Sequence, residues 1–380
     1  MPQLPISDEY FNRSAAVVAD TPLYNQRVRY AVFARSGGVV CGINRAVNFI
    51  SRQCVGPLTV QARCDGDAFA PDQAVMVIEG LFGELVNLET TYLGMLAFSG
   101  AASHMADIVR AAQGVSVIDM AARHYPYEII EQTAYAAAIG GAVGTSTAAG
   151  HRYVKRWLGT GEGEFIRVGT RHPIEFKLYG SIPHALNAVF EGSSIESAKA
   201  YLARFPHVPL NVLIDFEGRE LDVCAEAAGT FGSSLAAVRI DTHKARIHQG
   251  GHDQAVPELV DRILASAADK DAATQALAQY GFGPGVTIET VFNVRRALDE
   301  AGARHAKVVV SSGFDAKKVA AFRAAGAPMD AIGTGSWMDF LMFTSDVTHV
   351  FKQDRWVDRV KSGRGGQVLV PRLEHRIERP

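Results

Sequence analysis

The chain has 380 residues, with 38 Lys plus Arg against 40 Asp plus Glu, for a formal net charge of −2. That balance lacks the basic surplus used against nucleic-acid phosphates, so no nucleic-acid partner is expected, although a small anion could still be held by a local group of cations. With 48% hydrophobic and 21% charged residues, the composition excludes disorder and suits a globular enzyme of two or three domains.

Taken in chain order, Met1–Arg13 has no basic start followed by an apolar run, so no secretory signal is expected. Arg29–Arg35, Leu58–Arg63 and Ala74–Glu79 read as short strands, punctuated by Gly37, Gly38, Gly56 and Gly66. Glu84–Ala102 reads as one long buried helix. Cys41, Cys54, Cys64 and Cys224 form no CxxC pair, so neither a zinc cluster nor a disulfide framework is expected. Thr133–Gly150 carries no charge but is too weakly apolar for a membrane helix, and a cytoplasmic protein with no membrane partner is expected.

From about residue 113 the rhythm changes. Short apolar runs end in a polar residue or glycine: Val115–Asp119, Phe176–Gly180, Asn211–Asp215, Ala237–Asp241, Val308–Gly313 and Ala331–Gly335. Helical patterns lie between them. Thr287 would cap a helix with Ile288, Val291, Phe292 and Leu298 on one face. Asp315 would cap another carrying Val319 and Phe322, stopped by Gly326. Such alternation means parallel strands with right-handed crossovers. No GxGxxG follows the first strand, which disfavours a dinucleotide-binding sheet. A barrel would gather Asp119, Gly180, Asp215, Asp241, Ser312 and Gly333 on one rim, whereas taken singly each could be only a turn residue. After residue 340, Val347–Lys352 and Arg355–Lys361 read as paired strands, followed by Gly363, Gly365 and Gly366. An isolated hairpin is only marginally stable, so these strands are expected to return to the N-terminal part. The expected units are residues 1–112, an α/β sandwich; 113–340, an α/β barrel; and 341–380, strands rejoining the first.

Three segments carry candidate chemistry. Ser311-Ser312-Gly313-Phe314-Asp315 and Gly333-Thr334-Gly335 end the last two strands, where backbone N–H groups and a helix N-terminus suit a phosphate; the alternative is that these glycines only turn the chain. At Asp119–Pro126, Arg123 could pair bidentately with a carboxylate, or simply bond Asp119. In Tyr179–His184, His184 stands just past a strand end and could be an acid–base group or merely structural. Asp215, Glu217, Asp241 and His243 would add acid–base or Mg²⁺–water contacts on the same rim.

Together the motifs resemble the nicotinate phosphoribosyltransferases and their quinolinate phosphoribosyltransferase relatives. The resemblance runs over nearly the whole chain. Asp8–Arg13 is similar to a D-x-Y-F-x-R segment and Glu84–Gly94 to an E-x-x-x-L-E-T-x-x-L-G helix. Asp119–His124 matches a strand end that usually carries two arginines, and Gly140–Ser146 is similar to G-G-x-x-G-T-S. Gly180–Ala185 is similar to G-T-x-x-H, Arg239–Thr242 to R-x-D-S/T, and Ser311–Asp315 with Gly333–Gly335 to paired phosphate loops. The resemblance implies an irregular TIM-like α/β barrel plus an α/β sandwich domain built from N-terminal and C-terminal segments. It implies transfer of phosphoribose from phosphoribosyl pyrophosphate to nicotinate, with Mg²⁺ and coupled ATP hydrolysis, and transient phosphorylation at the position of His184. Catalysis would fall to His184, Asp215 and Asp241, with the two carboxylates reaching Mg²⁺ directly or through water. Arg123, His124, Thr145, Ser146 and Arg239 would bind substrate, and Ser312, Gly313, Gly333, Thr334 and Gly335 the phosphate. A homodimer or larger homo-oligomer is implied, with Tyr10 and Arg13 reaching a neighbour's pocket.

Two departures stand out. His124 replaces the second arginine, and His243-Lys244 stands where many relatives have Gly-Asp. Quinolinate transfer is the alternative activity, with His124, Arg152 and Lys177 supplementing Arg123. Different classes are a barrel aldolase with Lys177 as Schiff-base lysine, or a non-catalytic ligand-binding relative.

Overall fold

The computed structural model describes residues 4–158, 175–362 and 375–379. Gly363, Gly365 and Gly366 fall outside them. Five strands lie in the first part of the chain: β1 (Arg27–Ala34), β2 (Gly38–Val39), β3 (Leu58–Ala62), β4 (Ala68–Phe69) and β5 (Ala74–Leu81). Seven follow: β6 (Ser116–Asp119), β7 (Gly144–Thr145), β8 (Lys177–Leu178), β9 (Leu210–Leu213), β10 (Leu235–Ile240), β11 (Lys307–Val310) and β12 (Ala331–Thr334). The last three are β13 (Phe343–Lys352), β14 (Arg355–Asp358) and β15 (His375–Arg379).

β14-β13-β1-β5-β3-β15 form an antiparallel sheet, so the C-terminal strands do pair with N-terminal ones. Gln353 and Asp354, at φ +49° and +57°, make the two-residue turn between β13 and β14, with the double left-handed twist that a tight hairpin favours. The other large sheet runs β8-β7-β6-β12-β11-β10-β9, all parallel, and curls into an incomplete barrel. The fold is therefore an irregular α/β barrel with an α/β sandwich built from both ends of the chain, as the sequence predicts. β7 was hidden within Gly140–Ser146, where two strand residues are too few to show a period. Among the described residues no helix is long and apolar enough to cross a membrane.

Side chains alternate along a strand. In the barrel, Val212, Ile214, Val238, Ile240, Val308, Val310 and Ile332 join the helices in the larger hydrophobic core. The residues between them, Asn211, Arg239, Asp241, Val309, Ser311 and Gly333, line a cavity instead. Burying each of those valines or isoleucines contributes about 1.5–3 kcal/mol, which fixes the register and hence which residues face inward. The caps hold as predicted: Thr287 forms a reciprocal cap with Thr290, and Asp315 accepts the N–H of Lys318.

The single helix predicted over Glu84–Ala102 is instead broken into Phe82–Leu85, Glu89–Leu96 and Ser99–Ala112. Tertiary structure overrides the apolar pattern. The Ala97 carbonyl accepts the N–H of Leu341 at 2.9 Å, and the crossing chain comes so close that a Cβ on Gly100 would lie 2.8 Å from the Leu341 nitrogen.

The sandwich and barrel meet at Asp65, which is fully buried. It caps the helix Ile43–Gln53 by accepting the N–H groups of Ile43 and Asn44, and it accepts the Tyr135 hydroxyl from a barrel helix at 2.5 Å. Burial pushes its pKa up against those hydrogen bonds. Tyr135→Phe leaves the buried carboxylate one donor short and should cost about 1–2 kcal/mol, read by urea unfolding; a change under about 0.3 kcal/mol would mean that the tie is not energetically used.

Candidate active site

The inward-facing strand residues and the loops beyond their C-terminal ends enclose a cavity of about 700 Å³. Of the residues singled out from sequence, Arg123, His124, Ser146, His184, Arg239, Asp241, Ser312, Gly313, Gly333 and Gly335 line it. Asn211, Tyr179, Ser181, Thr147 and Ser336 also line it without having been assigned roles. Asn211 had a legible signal, since it is the polar residue at an inward position of an otherwise apolar strand. The hydroxyl and aromatic loop residues had none.

Ser312 and Gly313 stand side by side in the left-handed region, at φ +77° and +72°. Open space surrounds the place of a Cβ on Gly313, so conformation rather than crowding requires glycine there. The N–H groups of Ser312, Gly313 and Phe314 have no acceptor among the described residues. Successive unpaired N–H groups in such a turn form a concave anion nest, here at the start of the helix Ala316–Ala324. Gly335 meets a different demand. A Cβ there would stand 2.5 Å from the His124 ring and 3.0 Å from the Met120 carbonyl oxygen. Thr334 is buried, and its hydroxyl donates to the Phe314 carbonyl at 2.7 Å. It therefore couples the two glycine loops rather than lining the cavity.

Arg123 lines the same cavity. The alternative that it bonds Asp119 is not what is observed. Asp119 is buried, accepts the Ala121 N–H at 2.9 Å and the Thr145 hydroxyl at 2.8 Å, and has its pKa raised by burial. Thr145, expected near a ligand ring, is thus spent joining β6 to β7, while its neighbour Ser146 lines the cavity. Arg123 has no hydrogen-bonding or ion-pair partner among the described residues. Arg239 is more committed. Its Nη atoms donate to the Ser181 hydroxyl at 2.7 Å and the Ile182 carbonyl at 3.2 Å, pinning the loop before His184, while Nε is unpartnered.

His184 opens the helix His184–Val189, and its Nε2 lies 3.0 Å from Oδ2 of Asp215. The hydrogen bond to Asp215 raises the imidazole pKa against partial burial. With the proton of the neutral ring on Nε2, Nδ1 keeps its lone pair and has no partner among the described residues, the arrangement of a carboxylate-oriented nucleophile or base. Asp215 is buried and does not itself line the cavity; its Oδ1 lacks a partner. Asp241 does line it and accepts the Ser311 hydroxyl at 2.9 Å. Fully buried Glu220 holds both loops, accepting from Thr242, Arg246 and the Gln249 N–H, while Arg246 also donates to the Asp215 carbonyl at 3.2 Å.

Other rim residues lie elsewhere. Glu217 accepts the Ser194 N–H and pairs with Arg219, so it supports a helix start instead of the cavity. His243 and Lys244 are exposed and outside the lining. Tyr10 and Arg13 lie on the exposed helix Glu9–Val18, where Arg13 pairs with Glu9, away from this chain's own cavity. Arg152 and Lys177 are exposed and do not line it either. Lys177 pairs with Glu175 at 3.0 Å, which raises its pKa, the opposite of what a Schiff-base lysine requires. Among the described residues no three His, Cys, Asp or Glu side chains gather as a ready-made metal cage. Asp215 and Asp241, on neighbouring strand ends, fit an ion such as Mg²⁺ that takes one or two carboxylates and fills the rest of its shell with water and phosphate oxygens.

Residues 8–99 match the family model described as quinolinate phosphoribosyl transferase, N-terminal domain. The nicotinate phosphoribosyltransferase pncB1 of Mycobacterium tuberculosis is 24% identical over 365 residues, covering 87% of this chain and 68% of the relative. Among solved structures, nicotinate-nucleotide pyrophosphorylase from Pyrococcus furiosus superposes with a TM-score of 0.70 at 24% identity, covering 98% of this chain and 82% of that one. Human nicotinic acid phosphoribosyltransferase does so with a TM-score of 0.60 at 15% identity, covering 92% and 76%. These likenesses establish a shared fold.

Asp215→Asn replaces a charged partner of His184 by a neutral one. The imidazole should then titrate at lower pH than in the parent chain, followed by NMR of its ring protons. An unmoved titration would show that Asp215 does not set the protonation of His184.

Proposed function

We propose that the chain transfers the phosphoribosyl group of phosphoribosyl pyrophosphate to nicotinate, releasing pyrophosphate, a reading supported by the match of residues 8–99 to the quinolinate phosphoribosyl transferase N-terminal domain and by the likeness to a nicotinate phosphoribosyltransferase. The observation that carries this reading is that one cavity is lined both by Arg123, whose guanidinium has no partner among the described residues, and by the anion nest that begins at Ser312 and Gly313. A cavity of about 700 Å³ is of the size that takes one drug-sized ligand or two small ones. The donor's 5′-phosphate accepts from the nest and the Gly333–Gly335 loop. Nicotinate sets its carboxylate on Arg123, with Ser146 and Tyr179 beside the ring.

As pyrophosphate departs, positive charge builds at the anomeric carbon. Asp241 faces that developing charge from the cavity wall, and a fixed carboxylate stabilises it without reorganisation. Holding both reactants in line supplies a further large share of the rate. Mg²⁺, when bound by Asp241 and Asp215 directly or through water, would neutralise the leaving pyrophosphate. In the ATP-coupled form of the reaction, the Nδ1 of His184 attacks the terminal phosphorus of ATP and ADP leaves, with Asp215 keeping the proton on Nε2. The exposed Tyr10 and Arg13 serve the cavity of a second copy in a homodimer. Ile6 and Val17 beside them, 66% and 76% exposed, support covering of that face.

The choice of acid rests on a count of cations. Quinolinate has two carboxylates, and of the three groups that would have supplemented Arg123 only His124 lines the cavity, whereas Arg152 and Lys177 do not. The Arg123 guanidinium, without a partner among the described residues, suits a single carboxylate.

A charge-assisted guanidinium–carboxylate pair contributes about 1.5–3 kcal/mol. Arg123→Ala should raise the KM for nicotinate roughly one to two decades and leave that of the donor within about threefold, while Arg123→Lys keeps the charge, loses the fork and recovers only part. Steady-state kinetics in each substrate checks this. The reverse pattern, with donor affinity lost and nicotinate unaffected, would make Arg123 a phosphate contact.

A further inference from the structure

The turn that forms the anion nest is supported from behind by a residue that does not line the cavity. Lys318 lies in the first turn of the helix Ala316–Ala324, and its Nζ donates to the Ser312 carbonyl at 3.2 Å. The ammonium sits 4.5 Å from the centre of the Phe314 ring and 5.6 Å from that of Phe322. No carboxylate pairs with it among the described residues. The nearest acid, Asp315, uses its Oδ1 to accept the Lys318 backbone N–H at 2.8 Å. A half-buried cation held only by a carbonyl and two aromatic faces is unusual, because buried charge is ordinarily paired. Burial, opposed by Asp315, draws the pKa of Lys318 down to about 8.

The turn itself needs support. Ser312 is an L-residue at φ +77°, directly before Gly313 at φ +72°. Left-handed backbone is disfavoured for serine, and among the described residues its hydroxyl makes no hydrogen bond that would compensate. The bond from Lys318 to its carbonyl and the Thr334 bond to the Phe314 carbonyl grip this turn from two sides. Both take carbonyls, leaving the N–H groups of Ser312, Gly313 and Phe314 unused.

We propose that Lys318 is a positioning residue for phosphate recognition: it holds the Ser312 carbonyl so that the turn's N–H groups stay directed at the ligand, and its unpaired charge strengthens the pull on a phosphate bound in front of the turn. This inference rests on the proposed phosphate site and adds to it a residue outside the cavity wall. Its partner is a phosphate monoester dianion, the end that any phosphoribosyl donor or nucleotide product presents.

Ribose 5-phosphate, titrated calorimetrically into the full chain, tests it apart from turnover. Lys318→Met should weaken binding about tenfold, and Lys318→Arg should return it to within about threefold of the parent. Lys317→Met removes the same charge from the exposed neighbouring position and should change binding less than about twofold. In turnover, Lys318→Met should raise the donor KM by a similar factor with kcat within about twofold. Unchanged binding in Lys318→Met overturns the inference, as does an equal loss in Lys317→Met or no recovery with arginine. Failure of the parent chain to bind ribose 5-phosphate overturns the phosphate site itself, and the inference with it.

Discussion

Everything at the cavity follows from a period of two. Seven parallel strands curl until one face is convex and covered by helices, and the other is concave and open at the strand ends. The convex face takes Val212, Ile214, Val238, Ile240, Val308 and Val310, and their burial is what the sheet gains by adopting this register. The concave face receives what remains: Asn211, Arg239, Asp241 and Ser311. A slip of one residue in β10 would turn Arg239 toward the helices and Ile240 toward the cavity. Packing on one side thereby positions chemistry on the other, and the same register carries His184, Arg123 and the glycine loops just past the rim.

Charge is arranged with similar economy. Glu220, fully buried, is the anchor of the two loops that follow β9 and β10, and through Arg246 it reaches the main chain of Asp215. Asp215 in turn fixes the ring of His184. Arg239 gives its two Nη groups to the loop that leads into His184. Arg239 and Arg246 are thus committed to structure, whereas Arg123 lines the cavity without a partner among the described residues. A buried charge whose partners are already supplied by the protein does little for a ligand, whereas an unpaired guanidinium on a cavity wall offers its full fork.

The fold was legible because it is repetitive. Each barrel strand except β7 announced itself as an apolar run ending in a polar residue or glycine, and the caps at Thr287 and Asp315 carry their mechanism in the local sequence. The site was legible at strand ends, where a polar residue after an apolar run has few structural excuses. What sequence could not reveal were partners distant in the chain. Thr145 and Thr334 looked like ligand contacts until Asp119 and Phe314 proved to hold them. Glu217 looked like a rim carboxylate until the Ser194 N–H and Arg219 claimed it. The break at Ala97 depends on a segment more than two hundred residues later, which no window of local pattern contains. His243 and Lys244, which depart from the family pattern at a point suggestive of metal binding, lie on the surface outside the cavity.

The central claim is that a single carboxylate is read by Arg123 while phosphoribose is held at the glycine loops of the same cavity. The most direct test is to identify the product. The chain is incubated with phosphoribosyl pyrophosphate and Mg²⁺, with nicotinate, nicotinamide or quinolinate offered in turn, with and without ATP, and the nucleotide is detected by mass spectrometry. The account predicts nicotinate mononucleotide, formed faster when ATP is present and far faster than any product from the other two acceptors. Carbon dioxide release from quinolinate at a comparable rate would contradict it.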